Sequence, residues 1–183
     1  MSEQGNAGRY ARTTNGLIAS LVVTVLAVGA FVALRAFGSD DLEVRPEPVD
    51  YLSVVDAAQD AGIDVVYPPT LPRGWEATSV DYAPGGRLDW GIGTLTDDGK
   101  FAGVRQADDS VDDLLDAWVD ADPVEGDPIE VPDAVVRQWR SWSDSGGDHA
   151  FSAELGDTTV LVFGSASVDD LRDLLGRLTL EHR

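Results

Sequence analysis

The segment Leu88–Leu115, LDWGIGTLTDDGKFAGVRQADDSVDDLL, carries the signals of three consecutive elements. Leu88, Trp90 and Ile92 alternate with polar or small residues, the period of two expected of a strand. Asp97-Asp98-Gly99-Lys100 then reads as a tight hairpin turn, because Asp-Gly tolerates positive φ. Phe101–Ala107 is the return strand. Ser110-Val111-Asp112-Asp113 opens a helix: the Ser110 oxygen can cap the N–H three residues on, and acids favour the positive helix end. Val111, Leu114, Leu115 and Trp118 supply its apolar stripe. A hairpin followed by a capped helix points to an α+β fold.

Upstream, the spacing predicts a strand over Glu76–Tyr82, closed by Pro84-Gly85-Gly86. Leu71-Pro72-Arg73-Gly74-Trp75 sets a turn with Trp75 as a core anchor. Ile63–Tyr67 reads as a short apolar strand or buried edge before Pro68-Pro69. A helix from Asp50 puts Tyr51, Val54, Val55 and Ala58 on one face and stops at Gly62. Downstream, the acidic, proline-bearing Ala121–Asp133 reads as loop. Val135–Trp142 reads as a strand with Trp139 and Trp142 on opposite faces. Phe151, Ala153 and Leu155 alternate, Gly156-Asp157 turns the chain, and Thr158–Phe163 is the most apolar strand, expected at the sheet centre. Ser167-Val168-Asp169-Asp170 opens a last helix with Leu171, Leu174, Leu175 and Leu178 facing inward.

Residues 75–119 and 135–178 thus follow one plan, and Ser110–Leu114 is identical to Ser167–Leu171. A βββα duplication and convergence on the same capping chemistry both account for this. The expected architecture is one α+β domain over residues 51–183. It has a mainly antiparallel sheet of about six strands and helices packed on one face.

Ahead of it lies Leu17–Leu34, a run without charge whose only polar side chains are Ser20 and Thr24. At about 1.5 Å per residue it measures roughly 27 Å as a helix, close to the hydrocarbon thickness of a bilayer. The expectation is a cytoplasmic tail (1–16), a transmembrane helix (17–37) and an acidic, proline-bearing stalk (38–50). The lipid bilayer is then a partner through Leu17 to Leu34. Arginines flank the run evenly, Arg9 and Arg12 before it and Arg35 and Arg45 after it. The free amino terminus and the ability of Arg35 to snorkel favour tail-in, domain-out, at the plasma membrane. Ala36-Phe37-Gly38 is a small-x-small motif, so cleavage as a signal peptide is the alternative. Gly29 and Ala33 have the small-xxx-small spacing that lets helices approach.

The 183 residues hold 33 acidic against 13 basic side chains, a net charge of −20. That balance repels nucleic acid, whose binding needs clustered Lys and Arg. There is no cysteine, which rules out disulfides, thiolate metal sites and a cysteine nucleophile. The only histidines are His149, in or beside a turn, and His182, near the C-terminus, where fraying is expected. No catalytic, cofactor-binding or metal-binding residue is assigned. Asp97-Asp98-Gly99 and Asp144–Asp148 lack the spacing of an EF-hand loop, and the five tryptophans read as core.

The basic tail, single span, acidic stalk, Leu71-Pro72-x-Gly74-Trp75, the Trp-Gly-x-Gly strand at Trp90 and the Phe101–Gln106 strand together resemble an uncharacterised family of actinobacterial single-span membrane proteins. The resemblance implies an anchored extracytoplasmic domain and transfers no catalytic residue. The functional expectation is a cell-envelope binding or interaction module. The alternatives are a carbohydrate-active hydrolase using paired carboxylates near a tryptophan and an accessory subunit of a membrane complex.

Overall fold

The structure, a computed structural model, describes residues 47–82 and 86–183. Helix α1 (Tyr51–Asp60) begins where the Asp50 carboxylate accepts the Ser53 N–H, and ends at Gly62, whose φ of 78° suits glycine. Helices α2 (Val111–Trp118) and α3 (Val168–Arg177) begin at Ser110 and Ser167. Those hydroxyls accept the N–H groups of Asp113 and Asp170 at 3.2 Å. The strands are β1 (Glu76–Tyr82), β2 (Asp89–Leu95), β3 (Phe101–Ala107), β4 (Val124–Glu125), β5 (Ile129–Glu130), β6 (Gln138–Ser143), β7 (His149–Leu155) and β8 (Thr158–Gly164).

All pairs are antiparallel, in the order β1-β2-β3-β8-β7-β6-β4, with β5 also on β6. The apolar β8 stands in the middle. One sheet face carries Trp90, Ile92, Val104, Phe151, Val160 and Val162. There α1 brings Tyr51, Val55 and Ala58 against Trp90 and Ile92, and α3 brings Leu171, Leu174 and Leu175 against Val104, Val160 and Val162. Those three leucines are fully buried, each stabilising by about 1.5–3 kcal/mol relative to exposure. On the opposite face α2 seats Leu114 and Leu115 on Trp142, Ala150, Leu161 and Phe163.

Several expectations change. The sheet has eight strands, not six, because Ala121–Asp133 contributes two two-residue strands that pair along β6. The β6 strand starts at Gln138 rather than Val135. Helices cover both faces rather than one. This bears on the repeat as well. The two-fold relating antiparallel neighbours β3 and β8 keeps each face on itself, so it cannot carry α2 onto α3. The shared plan is one of element order and capping, not of superposable halves. Ile63–Tyr67 joins no ladder: its one bridge is Tyr67 with Thr179. Side chains take the place of a partner strand, since Val66 N–H donates to Gln106 Oε1 (2.7 Å) and Val66 C=O accepts from Trp90 Nε1 (2.8 Å).

The C-terminus, expected to fray, is pinned. Glu181 C=O accepts from Tyr67 Oη (2.7 Å) and Gln59 Nε2 (3.1 Å), and Arg183 pairs with Asp56 at 3.0 Å. The expected membrane helix over residues 17–37 lies outside the described residues, as does most of the 38–50 stalk. Among the described residues no helix is long and apolar enough to cross a membrane.

Tyr51 ties α1 to the following loop by donating to Pro68 C=O at 2.7 Å. Burial pushes its phenol above the ordinary value. Because the folded-state value exceeds the unfolded one, this contribution is intact below about pH 10 and is lost as pH rises through the folded value. The expected result is an alkaline loss of stability that is smaller in Tyr51→Phe, measured by urea unfolding at pH 8 and above pH 10.

Candidate functional site

Among the described residues no helix packs on β1 and β2 on the face that α2 occupies, and α2 reaches the neighbouring β3 only at its margin. Arg105 lies there, in register with Gly91. A Cβ on Gly91 would stand 2.5 Å from Arg105 Nη1, so glycine is what lets the guanidinium rest on the sheet. Gly103 plays the same part for Phe163, whose ring would be 2.9 Å from an added Cβ. Arg105 is only 8% exposed. Its Nη1 meets Asp81 at 3.1 Å and its Nη2 meets Asp89 at 2.6 Å. The guanidinium carbon sits 4.2 Å from the Trp118 ring centre, a cation–π contact. Its Nε is buried without a partner. Phe101, Phe163 and Trp118 form an aromatic row with 5.7 Å between successive ring centres.

Trp118 is 39% exposed, unlike the other four tryptophans, which are buried as expected. Arg105 and Trp118 are the functional candidates that pattern reading missed. The available signal was a charged residue inside the apolar strand Phe101–Ala107, opposite a glycine. Chemically, the assembly offers a stacking platform: a tryptophan backed by a fixed cation, with two half-exposed carboxylates at its edge. The cavity beside it is about 50 Å³, far below the roughly 300–1,000 Å³ of small-molecule pockets. Asp81 and Asp89 both engage Arg105, so neither stands as a free carboxylate beside this tryptophan.

The asymmetry of buried ion pairs gives a test. Asp81→Asn with Asp89→Asn leaves the guanidinium uncompensated and is expected to cost about 2–3 kcal/mol. Arg105→Met, which removes the charge and keeps the apolar stem, is expected to stay within about 1 kcal/mol of the parent. Chemical denaturation of both variants measures the difference.

Larger concavities lie elsewhere among the described residues. One, about 420 Å³, is polar and lies between Asp56, Gln59, Asp60 and the C-terminal pair His182–Arg183. His182 Nε2 is 3.0 Å from Asp64 Oδ1. Another, about 400 Å³, lies between α2, the β4–β5 connection and strands β6 and β7. His149 is half-buried at the start of β7, opposite Gly164. Asp144 accepts the Asp148 N–H at 2.7 Å, which closes the β6–β7 turn. Among the described residues no three His, Cys, Asp or Glu side chains converge as a metal ion requires.

No curated protein and no solved structure matches the chain. A family model described as "Protein of unknown function (DUF4245)" matches residues 9–178, and the chain belongs to that family.

Proposed function

We propose that the protein is a single-span membrane protein whose α+β domain stands outside the plasma membrane as a binding module rather than a catalyst. The observation that carries this reading is the charge-free Leu17–Leu34 run, which precedes the compact unit Pro46–Arg183 in the sequence. An alternation of polar and apolar residues adequate for a folded domain starts only after it. The Trp118–Arg105 platform supports the binding role: an exposed aromatic held rigid by its neighbours is the kind of group that dominates recognition surfaces.

Alkaline carbonate extraction tests the anchor. The full chain is expected to remain in the membrane pellet, and a variant lacking residues 17–34 to move to the supernatant. A full chain released at alkaline pH contradicts the reading. Gly29 and Ala33 favour a second reading, in which the span docks a partner helix and the protein is an accessory subunit of a membrane complex. Replacing the span with an unrelated apolar helix, followed by co-purification in mild detergent, distinguishes the two. Partners lost with the span belong to the second.

A further inference from the structure

The Trp118 platform contains a buried donor without an acceptor. Arg105 is only 8% exposed, and its Nε carries an N–H that meets no partner among the described residues. Buried donors in folded proteins are paired, so an orphan marks a place where something else supplies the acceptor. Arg105, Trp118, Ser79 and Asp81 line the cavity of about 50 Å³ there. That space exceeds the roughly 10–15 Å³ that one water needs, and it takes one oxygen-bearing group rather than a whole ligand. Gly91 and Gly93 form its floor. A Cβ on Gly93 would collide with Ser79 Oγ, so glycine is what leaves room for that hydroxyl. Asp81 and Asp89 are held by the guanidinium yet stay half-exposed, and a carboxylate can accept further hydrogen bonds.

We propose that this platform binds a neutral saccharide, a pyranose of gluco configuration, a reading that rests on the binding role given to Trp118 above. Charge selects against the other classes. Two carboxylates against one guanidinium, in a chain of net charge −20, repel anions. A guanidinium 4.2 Å from the Trp118 ring centre already occupies its π-system and disfavours a second cation on the other face. What fits is a neutral group with an apolar face and several hydroxyls. Equatorial hydroxyls leave both faces of a gluco-configured ring lined by C–H, and one such face lies on the exposed side of Trp118. One hydroxyl enters the cavity, where its oxygen accepts from Arg105 Nε and its proton goes to Asp81. A second donates to Asp89. Only a hydroxyl can accept and donate at once here; an ammonium has no acceptor and a carboxylate no donor.

The test is an NMR titration of the full chain in a polyoxyethylene detergent, which has no sugar headgroup. The Trp118 Nε1–H and Arg105 Nε–H resonances are followed with cellotetraose, p-cresol and tetramethylammonium as probes. Cellotetraose is expected to move both resonances along one saturable curve, with a Kd of about 1 mM or tighter. The two smaller probes are expected to bind at least about tenfold more weakly. Trp118→Ala, read at Arg105 Nε–H, is expected to weaken cellotetraose at least about tenfold, and Trp118→Phe, which keeps a ring, about threefold. Arg105→Met, read at Trp118 Nε1–H, is expected to weaken it about tenfold. Circular dichroism confirms that each variant is folded. An unchanged affinity in folded Trp118→Ala or Arg105→Met overturns the proposal, as does tetramethylammonium binding as well as cellotetraose. If p-cresol alone moves Trp118, the saccharide falls and the binding role of the platform stands. If no probe moves it, both fall.

Discussion

Trp90→Ala is expected to lower the stability of the domain by about 3–5 kcal/mol, a large fraction of the roughly 5–15 kcal/mol that holds a domain folded. Trp90 is fully buried where α1 meets the sheet, edge-on to Tyr82 at 6.2 Å. Truncation leaves a cavity that β2 and α1 cannot both close. It also orphans the Val66 carbonyl, which has Trp90 Nε1 as its donor at 2.8 Å. The extended segment carrying Val66 has no flanking strand, so the loss reaches the Tyr67–Thr179 bridge and the pinned C-terminus. Trp90→Phe keeps most of the packing and loses the donor, and is expected to cost less than half as much. Thermal unfolding measures both, with a shift of about 10–20 °C for the alanine variant.

Gly164→Ala is expected to destabilise by about 3 kcal/mol or more, through backbone rather than packing. Gly164 ends β8 at φ 144°, a conformation that side-chain-bearing residues rarely adopt. An added Cβ would collide with the Phe101 carbonyl oxygen. That oxygen accepts the Ala166 N–H at 2.9 Å and fixes the approach to α3. The chain can relieve the collision only by parting β3 from β8, the central pair of the sheet. Gly156→Ala, at φ 61° in an open turn with nothing near the added Cβ, isolates the cost of positive φ alone. It is expected to lose only about 1 kcal/mol. Denaturant midpoints for the pair separate the two contributions.

Local chemistry made the elements legible. Ser110 and Ser167 announced two helix starts, and both hydroxyls cap as read. Asp97–Lys100 announced the hairpin, and Gly99 has the positive φ that it requires. The β4 and β5 strands were not legible, because two residues are too short for any period to register. The face on which a helix packs was not legible either. It depends on the lateral order of the strands, and identical Ser-Val-Asp-Asp-Leu starts send α2 and α3 to opposite faces. Trp118 has helical spacing from Val111, Leu114 and Leu115, and so read as core. It lies at the last turn of α2, at the edge of the packed face, where it meets Phe163 on one side and Arg105 on another and stays 39% exposed. The site residues are individually unremarkable in sequence. What joins Arg105 to Gly91, Asp81, Asp89 and Trp118 is cross-strand register, which no single segment records.

The proposed display of the domain outside the membrane can be measured directly, because the chain has no cysteine to confuse a single introduced one. Ser145→Cys places a thiol in the exposed turn between β6 and β7, and Ser2→Cys places one in the N-terminal tail. Intact cells are treated with a membrane-impermeant maleimide before and after lysis. Ser145→Cys is expected to be labelled in intact cells and Ser2→Cys only after lysis. A Ser145→Cys thiol that stays protected until the cells are broken contradicts the proposed display.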